Sequence, residues 1–292
     1  MSDHTTPLHS FSTALSDLVV ATAPSVVAVH SHRSRSSGFV WRPGLVVTAS
    51  EALAEEGEIS VALPGGDTVA AALVGRDPTT DVALLRIDGT QLKPATLDSA
   101  TVAPGALAVV VGAQDGAPTA ALGVVSLAGP GWRSMRGGEI DARIELDVSL
   151  RRSGEGGLAL DAAGRAFGMA VFGPRRRVLV IPAATIERVA AKLRTHGRIA
   201  RGYLGLGLQP ANLDDGGLGA MVMSVDANGP GAAAGVRQGD VIVAWDGQPI
   251  RSVGTMLRAL GPNAVGSAVA LALQRAGEPI EVSLTIGERP EA

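Results

Sequence analysis

From residue 25 onward, apolar and polar positions alternate in short runs that glycine, proline or aspartate interrupts every five to ten residues. Ser25–His32, Gly38–Arg42, Leu45–Ala49, Ile59–Leu63, Thr68–Arg76 and Val82–Asp88 form one set of six. Ala106–Gly112, Ala121–Ala128, Ile140–Val148, Leu158–Leu160, Ala166–Phe172 and Val178–Ile181 form a second. Runs this short, with turn residues between them, predict antiparallel strands that curl into barrels. Two stretches break the pattern with a helical period. Phe11, Leu15, Leu18 and Val19 predict a short amphipathic helix capped by Ser10 or Ser12 and closed by Pro24, its apolar side covering a barrel end. Ile186, Val189, Ala190 and Leu193 predict a helix within Pro182–His196 that closes the second set. After Gly197 the pattern restarts on a smaller scale: Gly202–Pro210, Val225–Ile250, a helical stretch Ser252–Leu260, and Val269–Ile286.

Composition agrees with a mainly β, globular chain. Of 292 residues 46% are hydrophobic, and the 38 glycines and 17 prolines are spread along the whole length, as many turns require. Lys plus Arg is 25 against 28 Asp plus Glu, a net charge of −3, which gives no reason to expect nucleic acid or an anionic membrane as partner. Without cysteine there is neither a disulfide framework nor a thiolate metal site. The N-terminus lacks a basic start and a long apolar stretch: its first basic side chain other than histidine is Arg33, and the run Leu18–Ala21 is short. This predicts a cytoplasmic protein.

The chemistry concentrates at three places. Ser153-Gly154-Glu155-Gly156-Gly157 lies between two strand-like runs, where adjacent glycines predict a tight loop with outward-turned N–H groups able to hold an oxyanion. This loop, preceded by Asp147, resembles the Gly-Asn-Ser-Gly-Gly nucleophile loop of the trypsin-like proteases of the HtrA (Deg) family, with Glu155 where the serine belongs. VVTASEAL (Val46–Leu53) is similar to the segment that carries the family's histidine, and Glu51 stands in that place. GRDPTTDVALLRID (Gly75–Asp88) follows the family's aspartate segment closely, so the resemblance makes Asp81 the retained acid. The region after Gly197, with its Gly239-Asp240 step, resembles a bacterial PDZ domain.

The resemblance implies a trypsin-like double six-stranded barrel over residues 25–198 and a PDZ domain over 199–292, with residues 1–24 an N-terminal segment that in the family can help build a trimer. It also implies the loss of hydrolysis. A Ser-His-Asp relay needs a hydroxyl and an imidazole, and its members act as a unit worth on the order of a millionfold in turnover. A carboxylate at the nucleophile position adds about 4 kcal/mol of repulsion, at 4 Å and an effective dielectric near 20, where an oxyanion must form. The expectation is thus a pseudoprotease that binds peptides or protein C-termini, as against an active endopeptidase with an unusual catalytic set or a chaperone-like holdase. Glu51 and Glu155 are read either as drift on an exposed cleft wall or as a three-carboxylate cluster with Asp81 that shares a proton, takes a hard cation or recruits Arg151 or Arg152. No cofactor is called for and no metal ligand is assigned. Arg175–Arg177 is read as a solvated turn. Trp132 and Met135 in Gly129–Gly138 either pack on the surface or stand where the family has a regulatory loop. For the PDZ-like part, Gly202, Tyr203, Leu204 and Gly205 are expected to present amides to a terminal carboxylate. The strand from Leu206 is the edge for an added peptide, and Met256 and Leu257 lie among the helix residues that form the wall.

Overall fold

The structure is a computed structural model and describes residues 6–32, 34–89, 91–213, 216–261 and 264–290. Two compact units emerge, one of Met1–Ser134 with Glu139–Ile199, the other of Met135–Gly138 with Ala200–Ala292.

The first unit opens with α1 (Pro7–Thr22), which starts ahead of the apolar repeat. Thr6, not Ser10 or Ser12, is the cap: its hydroxyl accepts the His9 N–H at 3.3 Å, and Pro7 occupies the first helical position, where its missing N–H costs nothing. Leu15, Leu18 and Val19 pack on the main core, while Leu8, Phe11 and Val20 stay exposed.

Six strands follow: β1 (Val26–Ser31), β2 (Ser34–Arg42), β3 (Leu45–Ala49), β4 (Ile59–Ala62), β5 (Thr68–Asp77) and β6 (Val82–Ile87). They close in the order β1-β2-β3-β6-β5-β4. Next come β7 (Leu107–Gln114) and β8 (Ala117–Gly129), a short ladder of β9 (Trp132–Arg133) with β10 (Glu139–Ile140), then β11 (Arg143–Asp147), β12 (Leu158–Asp161), β13 (Ala166–Phe172) and β14 (Val178–Pro182). The second barrel closes as β11-β14-β13-β12-β7-β8. Counted from its own first strand, it runs in the same circular order as the first. One expected strand, Ile140–Val148, is divided. Asp141 leaves the ladder because its amide donates to the Thr185 hydroxyl (3.0 Å), which donates back to the Asp141 carboxylate (2.5 Å).

Thr185 belongs to α2 (Ala183–His196), which ends at Gly197 with φ 72, a left-handed cap. The main core draws Phe39, Trp41 and Leu84 from the first barrel, Val111, Leu158 and Met169 from the second, and Ile186 and Leu193 from α2. Burying those side chains is what holds the barrels together; a fully buried residue of this size contributes about 1.5–3 kcal/mol.

In the second unit β16 (Leu206–Asn212), β17 (Leu218–Val225), β18 (Val241–Trp245), β20 (Ala268–Arg275) and β21 (Glu278–Thr285) follow one another across a sheet. β19 (Gln248–Pro249) pairs with β18, and β15 (Gly202–Tyr203) with β22 (Gly287–Glu288). Two helices, α3 (Pro230–Ala233) and α4 (Val253–Ala259), complete it around Leu204, Val222, Ile242, Leu271 and Leu284. The Gly239-Asp240 step has a structural cause. Asp240, 1% exposed, accepts both the Nε (2.8 Å) and an Nη (2.9 Å) of Arg275 and the Arg237 amide (2.8 Å). Those bonds, Arg275 first, hold its carboxyl below the usual range.

Candidate active site and peptide groove

Asp81 is delivered by a turn that its neighbours build. Buried Asp77 accepts the Thr79 amide (3.0 Å) and hydroxyl (2.5 Å) and the Thr80 hydroxyl (2.8 Å), and the chain leaves the turn with Asp81 left-handed at φ 58. The segment after β3 lies against it: the Ser50 N–H donates to the Asp81 carbonyl (3.3 Å) and the Glu51 N–H to its Oδ1 (2.7 Å).

The loop 151–157 is seated on β2. Ser37 donates its N–H to the Glu155 carbonyl (2.7 Å) and its hydroxyl to the Ser153 carbonyl (2.5 Å), while that hydroxyl accepts the Ala113 N–H of β7 (2.9 Å). Gly156 has φ 85, and a Cβ there would collide with the Ser37 carbonyl, so only glycine fits. The expectation of outward-turned amides needs correction here. The Gly154 N–H donates to the Arg151 carbonyl (2.9 Å) and the Glu155 N–H to the Arg152 carbonyl (3.1 Å), in a one-turn 3₁₀ helix, Arg152–Gly154. These two donors are spent inside the loop.

Glu155 is half-buried, and its carboxylate accepts the Phe172 N–H at 3.3 Å. Burial raises its pKa; the Phe172 bond opposes that, the charge of Glu51 adds to it, and Arg152 and Arg176 oppose it. Burial likewise pushes Asp81 up to about 7, against the amide bonds from Glu51 and Ser50 and with the help of the charges on Glu51 and Glu155. The charges of Glu51 and Glu155 thus reach Asp81, and that of Glu51 reaches Glu155. The cations that act on Glu155 are Arg152 and, from far along the chain, Arg176. Arg175–Arg177 is accordingly more than a solvated turn, since Arg176 also lies over the Phe172 ring (5.0 Å) and Arg177 meets Glu145 (3.4 Å). Among the described residues no group of three or more histidines and acids is placed to hold a metal ion. His30 is engaged with Arg35 (3.3 Å) and Asp115 (3.4 Å), and His196 with the Lys192 carbonyl (3.3 Å); His4 lies outside the described residues.

In the second unit the Leu204 carbonyl accepts the Gly231 N–H (2.7 Å) and the Gly205 carbonyl the Asp226 N–H (2.8 Å). Across a planar trans peptide the amide points opposite to its carbonyl, so the N–H groups of Gly205 and Leu206 face away from the 226–231 turn. Gly202 donates to the Leu260 carbonyl (3.1 Å), and the Tyr203 hydroxyl to Asp226 (2.9 Å), which ties the loop to its surroundings. β16 is an edge strand of its sheet. On α4 the two candidate wall residues part company: Leu257 is 50% exposed, whereas Met256 is 3% exposed and belongs to the core.

Residues 36–169 match the trypsin-like peptidase domain family, and residues 202–286 match the PDZ domain family. A probable periplasmic serine endoprotease, DegP-like, from Brucella suis is 32% identical over 275 residues, which cover 88% of this chain and 53% of that one. Its counterpart in Halomonas elongata is 30% identical, covering 90% and 59%. The chain thus spans about half the length of the curated relatives it matches. Among solved structures, the serine endoprotease from Yersinia pestis superposes with a TM-score of 0.70 at 27% identity, over 94% of this chain and 98% of that one. The HtrA-type protease AlgW with tripeptide superposes at 0.66 and 25% identity, covering 94% and 98%. The periplasmic naming of the relatives overturns the cytoplasmic expectation, because an N-terminus without a recognisable leader carries no positive information about compartment.

Proposed function

The chain belongs to the HtrA family, a trypsin-like peptidase domain followed by a PDZ domain, and from that premise we propose that it is a periplasmic pseudoprotease that binds peptide or protein C-termini. One observation supports this reading: the charges of Glu51 and Glu155 act on Asp81, and these are the three residues that the resemblance aligns with the family's histidine, serine and aspartate. None of them offers a hydroxyl to attack or an imidazole to take the proton. Ionised acids at this point oppose an oxyanion, and the amides of Gly154 and Glu155 are committed within their own turn. The binding function rests on the Gly205 and Leu206 amides, the β16 edge and the exposed Leu257. A homotrimer built on α1 is supported by the exposure of Leu8, Phe11 and Val20 and is read by sedimentation equilibrium.

The second reading, an active serine endopeptidase, is favoured by the names of the relatives. Purified chain incubated with unfolded casein, with and without an apolar C-terminal peptide, separates the two. The pseudoprotease reading expects no cleavage above buffer; turnover that follows the protein through purification and is blocked by a fluorophosphonate overturns it.

A further inference from the structure

We infer that a cavity beside residues 99–104 of the first unit binds a small organic cation, its ammonium on the Asp141 carboxylate and its hydrocarbon body against Val102, Ile144 and Phe167. The cavity holds about 460 Å³, within the roughly 300–1,000 Å³ of small-molecule sites. Segment 99–104, the end of β8, the chain entering β11 and the start of α2 line it, and none of Glu51, Asp81 and Glu155 does. Its lining side chains are hydrocarbon apart from Ser99, Thr101 and Asp141, and Asp141 is the single charged one among the described residues.

The fold gives up strand pairing to place Asp141. Ile140 ends β10 and Arg143 opens β11, so Asp141 and Ala142 stand outside both ladders and line the cavity instead. Oδ2 of Asp141 accepts both the Thr185 hydroxyl (2.5 Å) and Arg188 (2.8 Å), which anchors α2; Oδ1 takes neither bond. Burial raises this carboxyl, but the bonds from Thr185 and Arg188 outweigh it and hold it below the usual range. The acid is therefore ionised at neutral pH at the edge of an apolar space. A ligand carboxylate meets like charge there and a bare hydrocarbon brings no donor, whereas an ammonium with an apolar body reaches Oδ1 and fills the space. Because the Asp141 side chain is 44% exposed, the attraction amounts to one charge-assisted hydrogen bond rather than a buried ion pair.

The test uses the full chain at pH 7 and three probes with one hydrocarbon body and different heads: 2-phenylethylamine, 2-phenylethanol and 3-phenylpropanoate. Isothermal titration and saturation-transfer NMR read their binding. The amine is expected to bind with a dissociation constant below about 1 mM, the alcohol about tenfold more weakly, and the carboxylate not at all up to about 10 mM. Asp141→Asn, which keeps an oxygen for Thr185 and Arg188, brings the amine to the affinity of the alcohol. Ala184→Phe, which fills the cavity from its exposed rim, abolishes binding of both with the thermal melt unchanged. If Asp141→Asn does not fold, the probe series on the unaltered chain and Ala184→Phe decide the matter. Absence of amine binding up to about 10 mM, carboxylate binding as tight as that of the amine, or amine binding untouched by Ala184→Phe overturns the site. An amine no tighter than the alcohol on the unaltered chain overturns the role of Asp141 and the cation with it.

Discussion

Asp81→Asn probes the carboxylate cluster directly. Asparagine keeps an Oδ1 to accept the Glu51 N–H, now at 2.7 Å, but cannot ionise. In the folded chain Asp81 titrates near 7 rather than near its ordinary 3.8, with burial the main cause and the charges of Glu51 and Glu155 adding to it. The folded state therefore holds this proton more tightly than the unfolded state. The stability that follows is fully present below about pH 3.8 and is lost as the pH rises through about 7. Integrated from pH 5 to pH 8, the stability of the unaltered chain falls by about 3 kcal/mol relative to Asp81→Asn. Because Glu155 is raised too, part of the titration is shared between the two acids, and the measured curve belongs to the cluster. Urea unfolding at several pH values, in a Trp245→Phe background so that Trp41 and Trp132 report the first unit alone, gives the two stability profiles. Profiles that stay parallel to within about 1 kcal/mol from pH 5 to pH 8 would show that Asp81 is solvated and that the cluster does not exist as described.

Three further outcomes follow from the packing. Gly156→Ala places a side chain at φ 85 against the Ser37 carbonyl and lowers the stability of the first unit by about 3 kcal/mol, whereas Gly164→Ala, at φ 78 with open space around it, costs only about 1; paired urea curves decide this. Asp240→Ala leaves Arg275 without its carboxylate and costs the second unit about 3 kcal/mol, read from the unfolding of Trp245 fluorescence; a loss below 1 would mean the pair is not buried as described. Glu51→His with Glu155→Ser supplies the missing hydroxyl and imidazole, yet casein turnover stays at least about a hundredfold below that of a DegP-like relative, because the amide of residue 155 remains bonded to the Arg152 carbonyl; turnover equal to the relative's would refute that account of the loop.

The barrels were legible because a strand half-buried in a curved sheet must alternate, and turn residues punctuate the alternation. Asp81 was legible because its turn is local: Asp77, Thr79 and Thr80 are its near neighbours, so one short segment encodes the geometry. What escaped depends on distant chain. Arg176 answers Glu155 only once β13 and the loop are side by side, and the hydroxyl of Ser37 links β7 to the residue 151–157 loop across more than seventy positions. The buried Ser37 in β2 was the available signal, since a buried hydroxyl calls for partners. Met256 and Leu257 could not be separated because adjacent helical residues differ by about 100° and a helix of one or two turns does not fix its own phase.

The retained glycines of the loop carry a consequence for the functional reading. A Gly-Gly pair after the nucleophile position looks like a remnant of catalysis, and its persistence looks like an argument that catalysis persists. The packing supplies another cause. Gly156 is left-handed with the Ser37 carbonyl at the place of a Cβ, its N–H donates to the Ala170 carbonyl (2.8 Å), and a Cβ on Gly157 would meet the Val111 carbonyl. Both glycines are thus needed to press the loop between the two barrels whatever residue occupies position 155. Losing the nucleophile removes chemistry and leaves this seam intact; losing either glycine opens the seam. Conformational need alone therefore keeps the glycines in place, and they weigh neither for nor against hydrolysis.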